Sequence, residues 1–203
     1  MKIIGITGGV GAGKSEVLSY IETAYDAVIV KADSVAADLL KPEGKAYIKI
    51  KEFMPSGIYE EDGSINNKKM AAILFNDKKY KERVNSVVFP LVKDAISDII
   101  EVANKECKVL LVIEAALLIE EHYDEVCDEL WYVYADRDIR ADRLRQSRGY
   151  TDERIEAVMR SQLSDEEFKE GTDVIINNSG DFEATKISID KELLRLGVKR
   201  WEQ

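Results

Sequence analysis

Near its start the chain carries Gly8-Gly-Val-Gly-Ala-Gly-Lys-Ser15, which fits the pattern G-x-x-x-x-G-K-[ST]. No other feature restricts the fold as strongly, because this motif is meaningful only between a strand and a helix. Both flanks are present. Lys2-Ile-Ile-Gly-Ile6 is a short β-branched apolar run, the composition of a buried strand. Glu16-Val-Leu-Ser-Tyr-Ile-Glu-Thr23 places Val17, Leu18 and Ile21 on one side of a helix. Glycines permit positive φ and close backbone approach, so the amides of Gly8, Gly9, Gly11, Ala12 and Gly13 can converge on one concavity. The following helix N-terminus adds partial positive charge there. Lys14 is placed to reach outer phosphates and the Ser15 hydroxyl to hold Mg²⁺. The stretch through Glu16 is therefore expected to bind nucleotide phosphates.

Four more apolar runs follow, at Ala27–Val30, Val109–Ile113, Leu130–Tyr134 and Val174–Ile176, with helical patterns between them. Strands that are apolar throughout and separated by helices predict an α/β protein with a five-stranded parallel sheet covered on both faces. About eighty residues separate the second strand from the third, far more than one crossover helix requires. Helical patterns occupy that gap at Ser34–Leu40, Ala46–Phe53, Lys68–Phe75, Lys79–Val87 and Leu91–Asn104, punctuated by Pro42, Pro55 and Pro90. The expected organisation is a core of residues 1–33, 106–135 and 165–203, a helical insertion at 34–105 and a lid at 136–164. Phe182–Leu196 is one more amphipathic helix on the core.

The net charge of −10 argues against nucleic acid or a membrane surface as partner. No apolar run approaches a membrane span, and the chain passes directly into a strand, so a cytoplasmic protein without a signal peptide is expected. A monomer or weak homo-oligomer is expected. Cys107 and Cys127 lack metal or redox spacing, and His122 sits in a polar stretch.

Against this acidic background, seven of the ten arginines fall between Arg137 and Arg160. Five acids and no lysine share the segment, leaving it a net +2. Arginine grips phosphate oxygens with a planar fork, where lysine is a point charge. Ion pairing on a solvated helix pair accounts for Arg137, Arg145 and Arg154. Arg140 and Arg143 are expected on a lid that closes over the nucleotide, with Arg148 as a third candidate. Lys31-Ala-Asp33 ends the second strand, where ligands of open α/β sheets gather. Asp33 either takes a proton from an acceptor hydroxyl or caps the next helix. Glu114 either acts on Mg²⁺ from the end of the third strand or is a polar strand terminus.

Thr7-Gly-Gly-Val-Gly-Ala-Gly-Lys-Ser15, Ala32-Asp33, Glu114-Ala-Ala-Leu-Leu-Ile-Glu120 and Asp173-Val-Ile-Ile-Asn-Asn-Ser-Gly180 together resemble the dephospho-coenzyme A kinase family. Asp62-Gly63, Ile73-Leu-Phe-Asn76 and Arg140-x-x-Arg143 with Gln162 extend the resemblance over almost the whole chain. It implies a three-layer P-loop kinase fold with a helical coenzyme-binding domain and a helical lid. It also implies ATP-dependent phosphorylation of the ribose 3′-hydroxyl of dephospho-coenzyme A. Asp33 matches the family's base, Arg143 an arginine at the nucleotide, and Asn178 a residue beside the adenine. Several positions depart from the family pattern. Lys31 replaces an aspartate, Ala37 stands where an arginine is usual, and Phe89 replaces the histidine before Pro90. Glu16 replaces the usual threonine, and Ser147 occupies the place of an arginine near Arg148. Most of the losses fall on the acceptor side. Two alternatives stay open: a kinase of another small nucleotide-like acceptor, or a nucleotide-binding paralogue without turnover.

Overall fold

The computed structural model describes residues 1–201. The chain divides into two compact units, residues 1–30 with 103–203, and residues 31–102. The first holds almost all of the sheet, built from β1 (Lys2–Thr7), β2 (Val28–Lys31), β3 (Leu110–Glu114), β4 (Glu129–Tyr134) and β5 (Val174–Asn177). Their order is β2-β3-β1-β4-β5, so the strand that feeds the glycine loop lies in the middle. Parallel register sets Ile6 beside Glu114 on one flank and Trp131 on the other. That alignment brings the ends of β1 and β3 level.

Helices α1 (Lys14–Tyr25) and α9 (Phe182–Arg195) pack on this sheet. Ile4, Ile6, Val17, Ile21, Leu110, Trp131, Val133, Ile176, Ile189 and Leu193 form one buried cluster. Burial of a side chain of this size stabilises by about 1.5–3 kcal/mol, which is why β-branched strands need helices on their faces. After β4 come α6 (Arg137–Arg148), α7 (Asp152–Arg160) and α8 (Asp165–Glu170). A smaller cluster of Ala141, Leu144 and Ile155 joins α6 to α7. Thr151 caps α7, and Ser164 with Glu167 closes a capping box on α8.

The second unit contains α2 (Ala32–Leu39), α3 (Lys45–Lys51), α4 (Asn67–Asn76) and most of α5 (Lys78–Lys105). Tyr47 packs edge-on against Tyr59 and donates to the Gly63 carbonyl at 2.7 Å, closing the turn at Asp62-Gly63. Two expectations are corrected here. Pro90 does not divide two helices, because α5 runs through it. Val84, Val88, Val92 and Ile96 are buried at four-residue intervals, and that stripe offsets the missing N–H. The second strand ends at Lys31, not at Asp33. Buried Ala32, a strong helix former, already opens α2.

Candidate active site

The glycine loop joins β1 to α1 and is completed by two left-handed glycines. Gly11 has φ 82°, and a Cβ there would come within 2.8 Å of the Arg140 carbonyl. Gly13, the N-cap of α1, has φ 89°, and a Cβ there would meet Asn178 Nδ2 at 2.3 Å. Only glycine satisfies both the angle and the space. Among the described residues, the loop's internal bonds use the amides of Ala12, to Gly9 O at 3.1 Å, and of Glu16, to Gly13 O at 3.1 Å. The amides of Gly11, Gly13 and Ser15 make no such bond, so they can face an anion at the helix N-terminus. Lys14 Nζ donates to Gly8 O at 2.7 Å and lies 3.9 Å from Glu114 Oε1. The lysine thus spans the mouth of the loop.

An open cleft of about 460 Å³ is lined by Gly9, Val10, Gly11, Gly13, Lys14, Ser15, Glu16, Glu114, Arg143, Leu144, Ser147 and Arg148. The cations and the helix terminus attract polyphosphate, while Glu16 and Glu114 oppose it. Ser15 and Glu114 offer only oxygen donors, the chemistry that suits Mg²⁺, and the 3.9 Å approach of Lys14 sets Glu114 beside the loop. Among the described residues no group of three or more His, Cys, Asp or Glu side chains converges. A small hard cation here would therefore take its remaining ligands from phosphate and water.

The arginines divide into two sets. Arg137 pairs with Glu156, and Arg145 with Asp142 and Asp152, as the ion-pair reading expects. Arg154 instead lies over the Tyr150 ring, 4.0 Å from its centroid. Arg148, also near that ring, holds the Tyr150 phenol below its ordinary range together with Arg154. Arg140 is 7% exposed, behind the loop, where Nε donates to Val10 O at 3.0 Å and Nη1 pairs with Asp165 at 3.5 Å. Asp165 also accepts from Tyr132 Oη at 2.6 Å. Burial first, then that bond, drives the Tyr132 phenol far above its usual range. Arg143 reaches Ala12 O at 3.3 Å and Asn178 O at 2.9 Å.

Asn178 is fully buried at the end of β5. Its Nδ2 donates to Ala12 O at 2.9 Å, and its Oδ1 accepts from Thr185 Oγ1 at 3.0 Å. Asn178 and the two arginines therefore bind the loop's carbonyls, leaving amides for a ligand. Gln162 adds a bond to the Val10 amide at 2.9 Å. The sequence marked Gln162 only as part of the family resemblance, with no role attached, and Thr185 not at all. Asp33 belongs to the second unit, exposed in the first turn of α2. The N-cap of α2 is Lys31 with no side-chain bond, which removes the capping reading of Asp33.

The sequence profile of dephospho-CoA kinase matches residues 2–184. A dephospho-CoA kinase of Carboxydothermus hydrogenoformans is 32% identical over 203 residues, covering 100% of this chain and 98% of that protein. One from Dehalococcoides mccartyi is 31% identical over 199 residues, 97% of this chain and 100% of the relative. In fold, the chain is similar to the solved structure of a dephospho-CoA kinase from Campylobacter jejuni. The TM-score is 0.70 at 22% identity, over 97% of this chain and 98% of that one. Loop, sheet order and full-length similarity agree: this chain belongs to the dephospho-CoA kinase family.

Proposed function

We propose that the protein transfers the terminal phosphoryl group of ATP to the ribose 3′-hydroxyl of dephospho-coenzyme A, giving coenzyme A and ADP. The observation that carries this reading is an intact phosphate loop in a chain of this family. In this scheme Lys14 and the amides of Gly11, Gly13 and Ser15 hold the β- and γ-phosphates, and Arg143 and Arg148 border the nucleotide. Mg²⁺, held by Ser15 and Glu114, would neutralise charge on the bridging phosphates. Asp33 takes the proton of the 3′-hydroxyl as that hydroxyl's oxygen attacks the γ-phosphorus, and the bond from γ-phosphorus to the β–γ bridging oxygen breaks to release ADP. Arg143 offsets developing charge, whereas Arg140, expected beside it, lies behind the loop and positions it through the Val10 carbonyl. Asn178 fixes the loop beneath the nucleotide.

The test is mass-spectrometric detection of coenzyme A from dephospho-coenzyme A, ATP and Mg²⁺. Removing a general base commonly costs about 10²–10⁴ in rate. Asp33→Asn should therefore bind ATP as the parent does and turn over at least about a hundredfold more slowly. Parental turnover in that variant would remove Asp33 from the mechanism. Absence of product with ATP bound would instead favour another acceptor or binding alone.

A further inference from the structure

Val10, at the tip of the phosphate loop, is held in three ways by the segment that follows β4. Its side chain packs on the Ala141, Leu144 and Ile155 cluster. Its carbonyl accepts from Arg140 Nε at 3.0 Å, and its N–H donates to Gln162 Oε1 at 2.9 Å. The arginine is itself fixed from the sheet, through Asp165 and the fully buried Tyr132 on β4. Gln162 has a different anchorage. It stands just past Ser161, the C-cap of α7, so its position follows the end of that helix.

We infer that Gln162 is a positioning residue for the phosphate loop, and that through it the grip on nucleotide and the ordering of α7 form one coupled equilibrium. The inference rests on the nucleotide site proposed above. A loop with glycines at 8, 9, 11 and 13 has many backbone states, and a phosphate cradle requires one of them. Turning the Val10 N–H towards Gln162 fixes the peptide between Gly9 and Val10. That donor is engaged by Gln162, while the amides of Gly11, Gly13 and Ser15 are left for a ligand. Coupling of this kind is reciprocal: whatever helix order contributes to the loop, nucleotide returns to the helix.

The test uses the full chain. Gln162→Met keeps length and removes the carbonyl acceptor, whereas Gln162→Glu keeps an oxygen for the Val10 amide. Calorimetry gives the Kd for Mg-ATP, and amide exchange follows Val10 and residues 152–160 with and without it. In the parent protein Mg-ATP should slow exchange across 152–160. Leaving the Val10 donor unsatisfied should weaken Mg-ATP by about tenfold in Gln162→Met. Val10 exchange should rise, and the ligand-induced protection of 152–160 should vanish. Gln162→Glu should restore the Val10 protection. A purely structural role would raise exchange across the whole core without this pattern. Parental Kd and parental protection in Gln162→Met would overturn the inference. If that variant does not fold, Gln162→Asn, whose acceptor is withdrawn by one methylene, carries the same expectations and the same refutation. A parent protein that fails to bind Mg-ATP would sink the nucleotide reading instead, a result separate from equal binding by parent and variant.

Discussion

Glu16 is the residue at which this chain's local physics works against its ligand. It is exposed, lies in the first turn of α1 and lines the phosphate cleft. A carboxylate at a helix N-terminus stabilises the empty helix through the backbone dipoles, yet it repels a polyphosphate arriving at the same amides. Glu16→Thr should therefore bind ATP about two- to fivefold more tightly at low ionic strength, the range expected of one charge near a helix end. High salt should shrink the difference. Titration calorimetry in dilute buffer and again in concentrated salt decides it, and equal or weaker binding by the variant would refute the electrostatic account. Glu16 was visible in the sequence because it adjoins an unmistakable motif. Lys14, Ser15 and Glu114 were visible for the same reason, being at strand or loop termini of fixed pattern. Most partners of Arg140 and Arg143 were not, since apart from Asp165 they are backbone carbonyls of Val10, Ala12 and Asn178, and no side-chain type advertises a carbonyl acceptor. Local arginine enrichment identified the cations. Only folding shows that Arg140 is buried behind the loop.

At the level of elements, strands announced themselves as apolar runs, and the observed bounds differ from those runs by one residue at most ends. Helix α5 shows what such patterns miss. Pro90 signals a break, because proline lacks the N–H that would bond four residues back and its ring crowds that carbonyl. The buried valine stripe passes through it, so tertiary burial overrides the local preference. Pro90 itself is exposed, and replacing it sacrifices little packing. Pro90→Ala should stabilise the protein by about 1–3 kcal/mol, the helix-interior cost of proline less its restriction of the unfolded chain. Chemical denaturation measures this as a higher midpoint at an unchanged slope. A lower midpoint would mean that α5 needs the irregularity.

For the molecule as a whole, the two cysteines distinguish events at the surface from opening of the core. Cys107 is exposed just after α5, while Cys127 is partly buried against Gly5 of the central strand. Burial first, then the neighbouring Asp128 and Asp124 carboxylates, pushes the Cys127 thiol up to about 12. Alkylating reagents attack the thiolate. At pH 8 a group with that pKa is ionised in only about one molecule in ten thousand, so reaction from the folded state is negligible. Once the core opens, the thiol returns to its ordinary range near 8.5 and reacts readily. The sign follows directly: raised in the folded state, this thiol favours folding below its unfolded pKa. That contribution fades as pH climbs from about 8.5 towards 12. Maleimide at pH 8 should therefore label Cys107 at once and Cys127 only at the rate of core opening. If nucleotide binds the folded core alone, Mg-ATP at a hundred times its Kd should slow Cys127 labelling about a hundredfold. Cys107 should react at an unchanged rate. Mass spectrometry of the time course reads both sites in one sample. Rapid labelling of Cys127 in the absence of denaturant would show that the strand beside the phosphate loop opens locally. Equal slowing at both cysteines would show that the effect is on the reagent and not on the protein.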